Sequence, residues 1–379
     1  MSPTDPPTHP TEAPVADLLR WYDAGHRNLP WREGRDPYRI WVSEIMLQQT
    51  TVATVCRFYD RFLERFPDVG TLARTDLTEV LRLWSGLGYY QRARNLHRAA
   101  RVVADRGSFP ETLEEWEQLP GVGRSTAGAI HSISRNLWAP ILDANVRRVV
   151  ERLFGVGKDE KRREARLWAL SDSFGRGNAR PGDTNQALME LGATVCLPAA
   201  PRCSACPLRF SCRSREEEPE RISLVPVRRR ERRPAPPQRD RLVLLPPEGS
   251  LLFVQRGEGR LLEGLYDLYG VSASAIPPGT MLAEGPYAGW HVGEELFAVT
   301  HTYSHFREVV HVVSVERRGG EFVGEATTGS VKGVVLPLSR AMEGPIPLTG
   351  VAKKILRELS LRGWGGSGEG AGHKGKGSP

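Results

Sequence analysis

From Val15 to about Leu197, apolar residues recur three and four positions apart, the spacing of one helix face. Asp76–Leu83, Ala93–Ala104 and Val146–Phe154 are the plainest such runs, and Gly or Pro separates them. Short β-like stretches are nearly absent from this half. From Asp240 the period changes. Arg241–Leu245, Leu251–Gln255, Leu296–Thr300 and Val309–Val315 alternate or cluster β-branched residues between turn signals, and a helix is predicted over Thr349–Ser360. The pattern therefore predicts a mainly α N-terminal domain followed by an α+β domain.

Length agrees, since 379 residues exceed one comfortable hydrophobic core. Residues 1–14 are Pro/Thr-rich and read as a disordered tail, and 363–379 are Gly-rich with nothing to build a core. The helical domain is expected over 15–213 and the α+β domain over 240–362. Between them, 214–239 carries Glu216–Glu218, Arg228–Arg233, then Pro234, Pro236 and Pro237, and reads as a solvated connector. A formal charge of +7 suits a polyanionic partner, although many basic proteins never touch nucleic acid. No apolar run approaches transmembrane length and residues 1–30 do not read as a signal peptide, so no membrane is expected and a cytoplasmic location is.

Four of the five cysteines fall within seventeen residues, as Cys196-x6-Cys203-x2-Cys206-x5-Cys212, interrupted by Pro198, Pro201 and Pro207. In a reducing compartment such a cluster binds metal more often than it forms disulfides. Structural zinc and an iron–sulfur cluster both accept four thiolates, and the spacing leaves both open.

A second motif is Leu119-Pro120-Gly121-Val122-Gly123-Arg124-Ser125-Thr126-Ala127. Gly121 and Gly123 permit a tight turn at positive φ, and a helix starting at Arg124 or Ser125 offers free N–H groups to an anion. Two carboxylates also stand out. Glu44 lies between Ile40-Trp41-Val42 and Ile45-Met46-Leu47, where lost hydration raises a carboxyl pKa, unless it faces out from a helix surface. Asp143, just before the helical run at Val146, reads locally as an N-cap.

The LPGVGRSTA string resembles the helix–hairpin–helix of DNA-repair glycosylases (about 113–130 here), and with the cysteine loop at 196–212 it resembles the endonuclease III superfamily. Leu29-Pro30-Trp31-Arg32, Trp41-Val42-Ser43-Glu44-Ile45-Met46-Leu47-Gln48-Gln49-Thr50 and Leu87-Gly88-Tyr89-Tyr90 resemble the MutY-type adenine DNA glycosylases. The resemblance is strong over 15–212 and looser through 240–358. It implies one [4Fe–4S] cluster on Cys196, Cys203, Cys206 and Cys212. It implies that Glu44 protonates N7 of a flipped adenine, that Asp143 supports the sugar cation, and that Asn145 orients the water or the aspartate. An acid and an anion on one glycosidic bond is the division of labour of glycoside hydrolysis.

The resemblance further implies that Trp31, Arg32, Ser125 and Gln186 belong to the adenine pocket. Ser125 stands where bifunctional relatives carry a Schiff-base lysine, so an abasic site without efficient strand cleavage is expected. Lys158 and Lys161, the next lysines, lie in no catalytic motif. Gln48, Gln49, Thr50, Leu87 and Tyr89 resemble the wedge and opposite-base contacts, while Gly121, Gly123 and Arg124 belong to the DNA-binding hairpin. On local pattern alone Leu87 reads as core.

The second domain resembles the Nudix-like C-terminal domain of the same family through Leu251–Arg256 and Gly264–Gly270, with Tyr266 and Tyr269 where Trp and Pro are usual. The G-x5-E-x7-R-E-x-x-E-E carboxylate run of an active Nudix hydrolase is missing, so recognition of 8-oxoguanine is expected instead of pyrophosphate hydrolysis. His301–Phe306 matches the recognition loop, with Ser304 and His305 as its hydrogen-bonding groups and Tyr303 in place of Phe. The implied partner is duplex DNA carrying A·8-oxoG or A·G, bound by a monomer. A same-fold glycosylase for another base, such as thymine in T·G, and a non-catalytic DNA-binding module are the alternatives.

Overall fold

The computed structural model describes residues 12–157, 162–217, 236–247, 249–257, 260–271, 276–303, 306–317 and 333–364. Most of the expected connector, residues 1–11 and 365–379, Lys158, Lys161, Ser304 and His305 lie outside the described residues. The expected tails are shorter than read from composition, since Glu12–Pro14 begin the first helix and Trp364 packs against the C-terminal core. The chain forms two compact units, residues 1–75 with 91–231 and residues 76–90 with 232–379. The division does not follow chain order, because a short segment of the helical half groups with the C-terminal sheets.

The helices are α1 Glu12–Gly25, α2 Pro37–Leu47, α3 Val52–Arg65, α4 Val69–Arg74, α5 Leu77–Trp84, α6 Gln91–Arg106, α7 Leu113–Glu117 and α8 Arg124–Arg135. They continue with α9 Ala144–Phe154, α10 Arg163–Gly175, α11 Pro181–Thr194 and α12 Arg213–Glu217, then α13 Leu338–Met342 and α14 Gly350–Leu361 in the C-terminal part. All but α5, α13 and α14 belong to the first unit. No described helix is long and apolar enough to cross a membrane.

Local chemistry explains the helix limits. Asp36 caps α2, accepting from Tyr38 N at 2.8 Å, with Pro37 pre-set for the first turn. Thr112 and Glu115 close a capping box on α7. Asn136 and Gly155 end α8 and α9 in the left-handed conformation. The predicted runs at 76–83, 93–104 and 146–154 correspond to α5, α6 and α9 within a few residues.

The core of the first unit centres on α2, whose Tyr38, Ile40, Trp41, Val42, Ile45 and Met46 are buried. Trp41 meets Trp116 edge-on at 5.8 Å. Helix α8 approaches α11 and the loop before α9 closely because glycines face backbone. A Cβ on Gly128 of α8 would lie 2.5 Å from Pro140 O, and one on Gly182 of α11 would lie 2.7 Å from Ser132 O.

In the second unit the strands are β1 Gln238–Leu245, β2 Ser250–Gln255, β3 Tyr266–Leu268, β4 Gly270–Val271, β5 His291–Thr302, β6 Arg307–Glu316 and β7 Gly333–Pro337. One sheet has the order β4-β1-β6-β5 and the other β3-β2-β7. β1 runs parallel to β6, with Val243 opposite Val312, and every other pairing is antiparallel. Both faces of β1 are buried over Leu242–Leu245. Val243 and Leu245 join Phe253 and Ile355 in one core, and Leu242 and Leu244 join Trp290 and Val315 in another. That two-sided burial is why Leu242–Leu245 is an unbroken apolar run. In the same unit Ser85 Oγ donates to Leu348 O at 3.3 Å and accepts from Lys353 Nζ at 2.7 Å.

The glycine contacts yield a contrast measurable by denaturant unfolding. Gly128→Ala forces a methyl against backbone and should destabilise the protein by roughly 1–3 kcal/mol, the range for overpacking. Gly123→Ala, where an added Cβ meets nothing within 4 Å, should cost a small fraction of that.

Candidate active site

Glu44 sits on the last turns of α2 among buried Trp41, Ile45 and Met46. Burial pushes its carboxyl up to about 7, and repulsion from Asp143 adds to this while Arg32 opposes it. The residue as a whole is half-buried. Asp143 is the N-cap of α9 and accepts from Val146 N at 2.7 Å. The local N-cap reading is thus realised, and it coexists with a place beside Glu44. Burial raises the Asp143 pKa, against the backbone hydrogen bonds from Val146 and Asn145 and the charge of Arg148.

The loop before Asp143 is fixed by Ser125, whose Oγ accepts from Leu142 N at 2.9 Å. Asn145 Oδ1 accepts from Arg148 Nη2 at 2.9 Å. Arg148 also donates to Gly192 O and Cys196 O, both at 2.7 Å. One guanidinium thereby links α9, α11 and the cysteine loop.

Trp31 is buried and meets Tyr59 edge-on at 5.4 Å. Arg32 donates to Glu190 Oε2 at 2.9 Å, and Arg27 reaches the same carboxylate at 2.6 and 2.8 Å. Burial works to raise the Glu190 pKa, but these two arginines outweigh it and hold the group below the usual carboxylate value. Gln186, one helical turn before Glu190 on α11, is half-buried. Glu190 was not singled out from the sequence, although it stands four residues beyond Gln186 on the same face. Arg92, Arg148 and Arg152 were also missed, since an arginine bonded to backbone carbonyls leaves no pattern in the residues it holds.

In the hairpin, Gly121 has φ +81°, and a Cβ there would lie 2.7 Å from Asn95 Cβ. Gly123 differs from the expectation of positive φ. It is the extended N-cap of α8 at φ −93°, where glycine keeps the backbone open but is not demanded by the turn. Ala127 N makes the first intrahelical bond, to Gly123 O at 2.9 Å, so the N–H groups of Arg124, Ser125 and Thr126 precede it. Arg124 lies over the Trp168 ring at 4.0 Å.

Gln48 is half-buried, and its amide is turned to Gly121 O at 3.4 Å and Thr126 Oγ1 at 3.3 Å. Gln49 is exposed with φ +59°, and Tyr89 is 54% exposed with φ +49°. Such backbone in a non-glycine residue is a local strain that tends to collect at functional sites. Leu87 is only 5% exposed, which matches the core reading. In the second unit, Ser304 and His305 are outside the described residues. Flanking them, Tyr303 stacks on Phe306 at 4.5 Å and its hydroxyl donates to Glu308 at 3.3 Å.

Cys196, Cys203, Cys206 and Cys212 line one cavity, together with Arg152, Arg209 and Arg215. Burial pushes the Cys206 thiol up to about 11 and raises that of Cys212. Arg152 donates to Cys196 Sγ at 3.3 Å and to Leu197 O and Pro198 O at 2.7 and 2.8 Å. Among the described residues, no three His, Cys, Asp or Glu groups are gathered tightly enough to hold a single metal ion.

Residues 42–172, which span Glu44, the hairpin and Asp143, match the HhH-GPD superfamily of base excision DNA repair proteins, and the chain belongs to that superfamily. It is 36% identical over 365 residues to an adenine DNA glycosylase of Homo sapiens, covering 80% of this chain and 66% of that protein. It is 44% identical over 200 residues to one from Buchnera aphidicola, covering 52% of this chain and 57% of that protein. The chain thus spans less than two thirds of the length of these relatives. Among solved structures, a thermostable thymine-DNA glycosylase aligns with a TM-score of 0.50 and 31% identity, over 54% of this chain and 96% of that one.

The raised Glu44 pKa carries a stability cost of defined sign. The folded chain keeps a proton on Glu44 up to about 7, whereas the unfolded chain releases it near 4.5. The contribution is therefore present below pH 4.5 and lost as pH rises to about 7. Glu44→Gln should melt higher than the parent protein at pH 8, with the gap closing at pH 4.5. Calorimetry at the two pH values checks this.

Proposed function

We propose that this chain is a monofunctional DNA glycosylase that releases adenine from A·8-oxoguanine and A·guanine mispairs in duplex DNA. The observation that carries the reading is the pair of Glu44, held near neutrality by burial, and Asp143, oriented by the α9 N-terminus, in a chain similar to adenine DNA glycosylases. A neutral Glu44 donates its proton to N7 of the flipped adenine. The N-glycosidic bond then breaks, its electron pair leaves with the base, and the anionic Asp143 supports the oxocarbenium-like sugar until water adds. Asn145 orients the aspartate or the water. Trp31, Arg32 and Gln186 form the walls and polar edge of the base pocket, with Glu190 holding Arg32 in place.

Ser125 supports the monofunctional reading, since a hydroxyl cannot form an imine with the sugar. The likeness to a thymine-DNA glycosylase favours T·G as the second reading. Duplexes carrying A·8-oxoG, A·G and T·G, treated with and without alkali, decide between them. Adenine release with strand breaks only after alkali is expected. Asp143→Asn should lose roughly 10²-fold or more in rate, the scale of an acid–base or charge-stabilising group, while keeping the N-cap. Release of thymine alone, or borohydride trapping of the parent enzyme, would overturn the proposal.

The cysteine loop is proposed to hold one [4Fe–4S] cluster. Four thiols on one cavity, with cationic Arg152, Arg209 and Arg215 around it, suit an anionic thiolate-ligated group. When bound, such a cluster supplies iron–thiolate bonds that cross-link the loop. Anaerobically purified protein should contain about four irons, and Cys56→Ser should leave that content unchanged. One zinc and no iron would refute it.

The second unit is proposed to be a Nudix-like module that tells 8-oxoguanine from guanine opposite the adenine, through Ser304 and His305. Ser304→Ala with His305→Ala should leave A·G processing in place. It should shrink the preference for A·8-oxoG, each base-edge contact being worth roughly 1–3 kcal/mol.

A further inference from the structure

Arg92, in the first turn of α6, is buried, and its guanidinium bonds four acceptors within one short stretch of chain. Nη1 donates to Ile45 O at 3.0 Å, to Met46 O at 2.7 Å and to Gln48 O, and Nη2 donates to Thr50 Oγ1 at 2.9 Å. The first two carbonyls belong to the last turn of α2, directly beyond Glu44. The other two acceptors flank Gln49, the exposed residue in left-handed backbone. The same segment is tied sideways, because the Gln48 amide reaches Gly121 O and Thr126 Oγ1 in the hairpin. Three residues further along α6, Asn95 supports the underside of Gly121.

A helix C-terminus presents unpaired carbonyls and a partial negative charge, which a cation stabilises. Only a planar fork serves several carbonyls and a hydroxyl at once. Three of these acceptors are main-chain carbonyls, so the bonds hold backbone in place.

We propose that Arg92 is a positioning residue for base release. One guanidinium sets the end of the catalytic helix and the strained Gln48–Thr50 turn in fixed register with the phosphate hairpin. The inference rests on the reading that Glu44 is the acid and that Gln49 and Thr50 meet DNA, and it adds a residue that touches neither. Loss of the fork should let the turn relax and move the wedge and the acid together. Misplacement on the ångström scale costs roughly 10²-fold in rate.

The test uses the full-length protein and an A·8-oxoG duplex, with the parent protein first shown to release adenine. If the parent releases none, the glycosylase reading fails, and this inference falls with it. Arg92→Lys keeps the charge but cannot span the four acceptors. Its single-turnover rate constant should fall tenfold or more, while active-site titration shows an undiminished active fraction. A merely structural role would give the opposite pattern, fewer active molecules working at the parent rate. Thr50→Val should slow the parent but add no more than a twofold loss to Arg92→Lys, since the two act through one bond. An active parent with Arg92→Lys within threefold of its rate, or losses that multiply in the double variant, would overturn the proposal while leaving the function intact. If Arg92→Lys does not fold, Thr50→Val alone decides. A rate within threefold of the parent, or a loss accompanied by weakened duplex binding, overturns the proposal, and a larger loss at full active fraction and undiminished duplex affinity supports it.

Discussion

The guanidinium of Arg148 touches Asn145 Oδ1, Gly192 O and Cys196 O, and much of the first unit is organised around that one group. It lies one turn inside α9, the helix that Asp143 caps. The cap orients the carboxylate, and Arg148 fixes the helix against α11 and the cysteine loop. Gly192 allows that approach, because a Cβ there would lie 2.7 Å from Asn145 Cβ. One turn further along, Arg152 binds the start of the cysteine loop through Leu197 O and Pro198 O. α9 is therefore a shared strut, with the candidate anion at one end and the thiols along its far side.

The two carboxylates beside this frame differ in environment. Glu44 has apolar neighbours and gains its proton mainly from lost hydration. Asp143 is desolvated as well, but backbone N–H groups at a helix start and the charge of Arg148 favour its anion. The contrast lies in hydrogen bonding more than in depth of burial. Both carboxyls are pushed upward by lost hydration, and at Asp143 the backbone N–H groups and Arg148 oppose that shift without reversing it.

Much of this was legible in the sequence where the signal is local. The spacing of apolar residues marked α5, α6 and α9, and the β-branched runs marked β1, β2, β5 and β6. Asp143 read correctly as a cap, and Glu44 as a carboxyl among apolar neighbours. What escaped depends on contacts distant in sequence. β3, β4 and β7 are short and gain their identity from pairing, not from propensity. Ser85 contacts Leu348 and Lys353, more than 260 positions away, so the grouping of residues 76–90 with the sheets left no local trace. The hairpin was legible in type but not in detail, since Gly121 alone needs the left-handed conformation.

The chain carries its positive charge largely as arginine. Arg92, Arg148 and Arg152 direct most of their hydrogen bonds to main-chain carbonyls. A carbonyl is supplied by every residue type, so the side chains at Met46, Gly192 or Leu197 can drift without removing an acceptor. Substitution is therefore tolerated on one side of each bond and not on the other, an asymmetry of mutational robustness. Carbonyl acceptors also carry no formal charge. A bond of this kind stiffens the scaffold without consuming an acidic side chain.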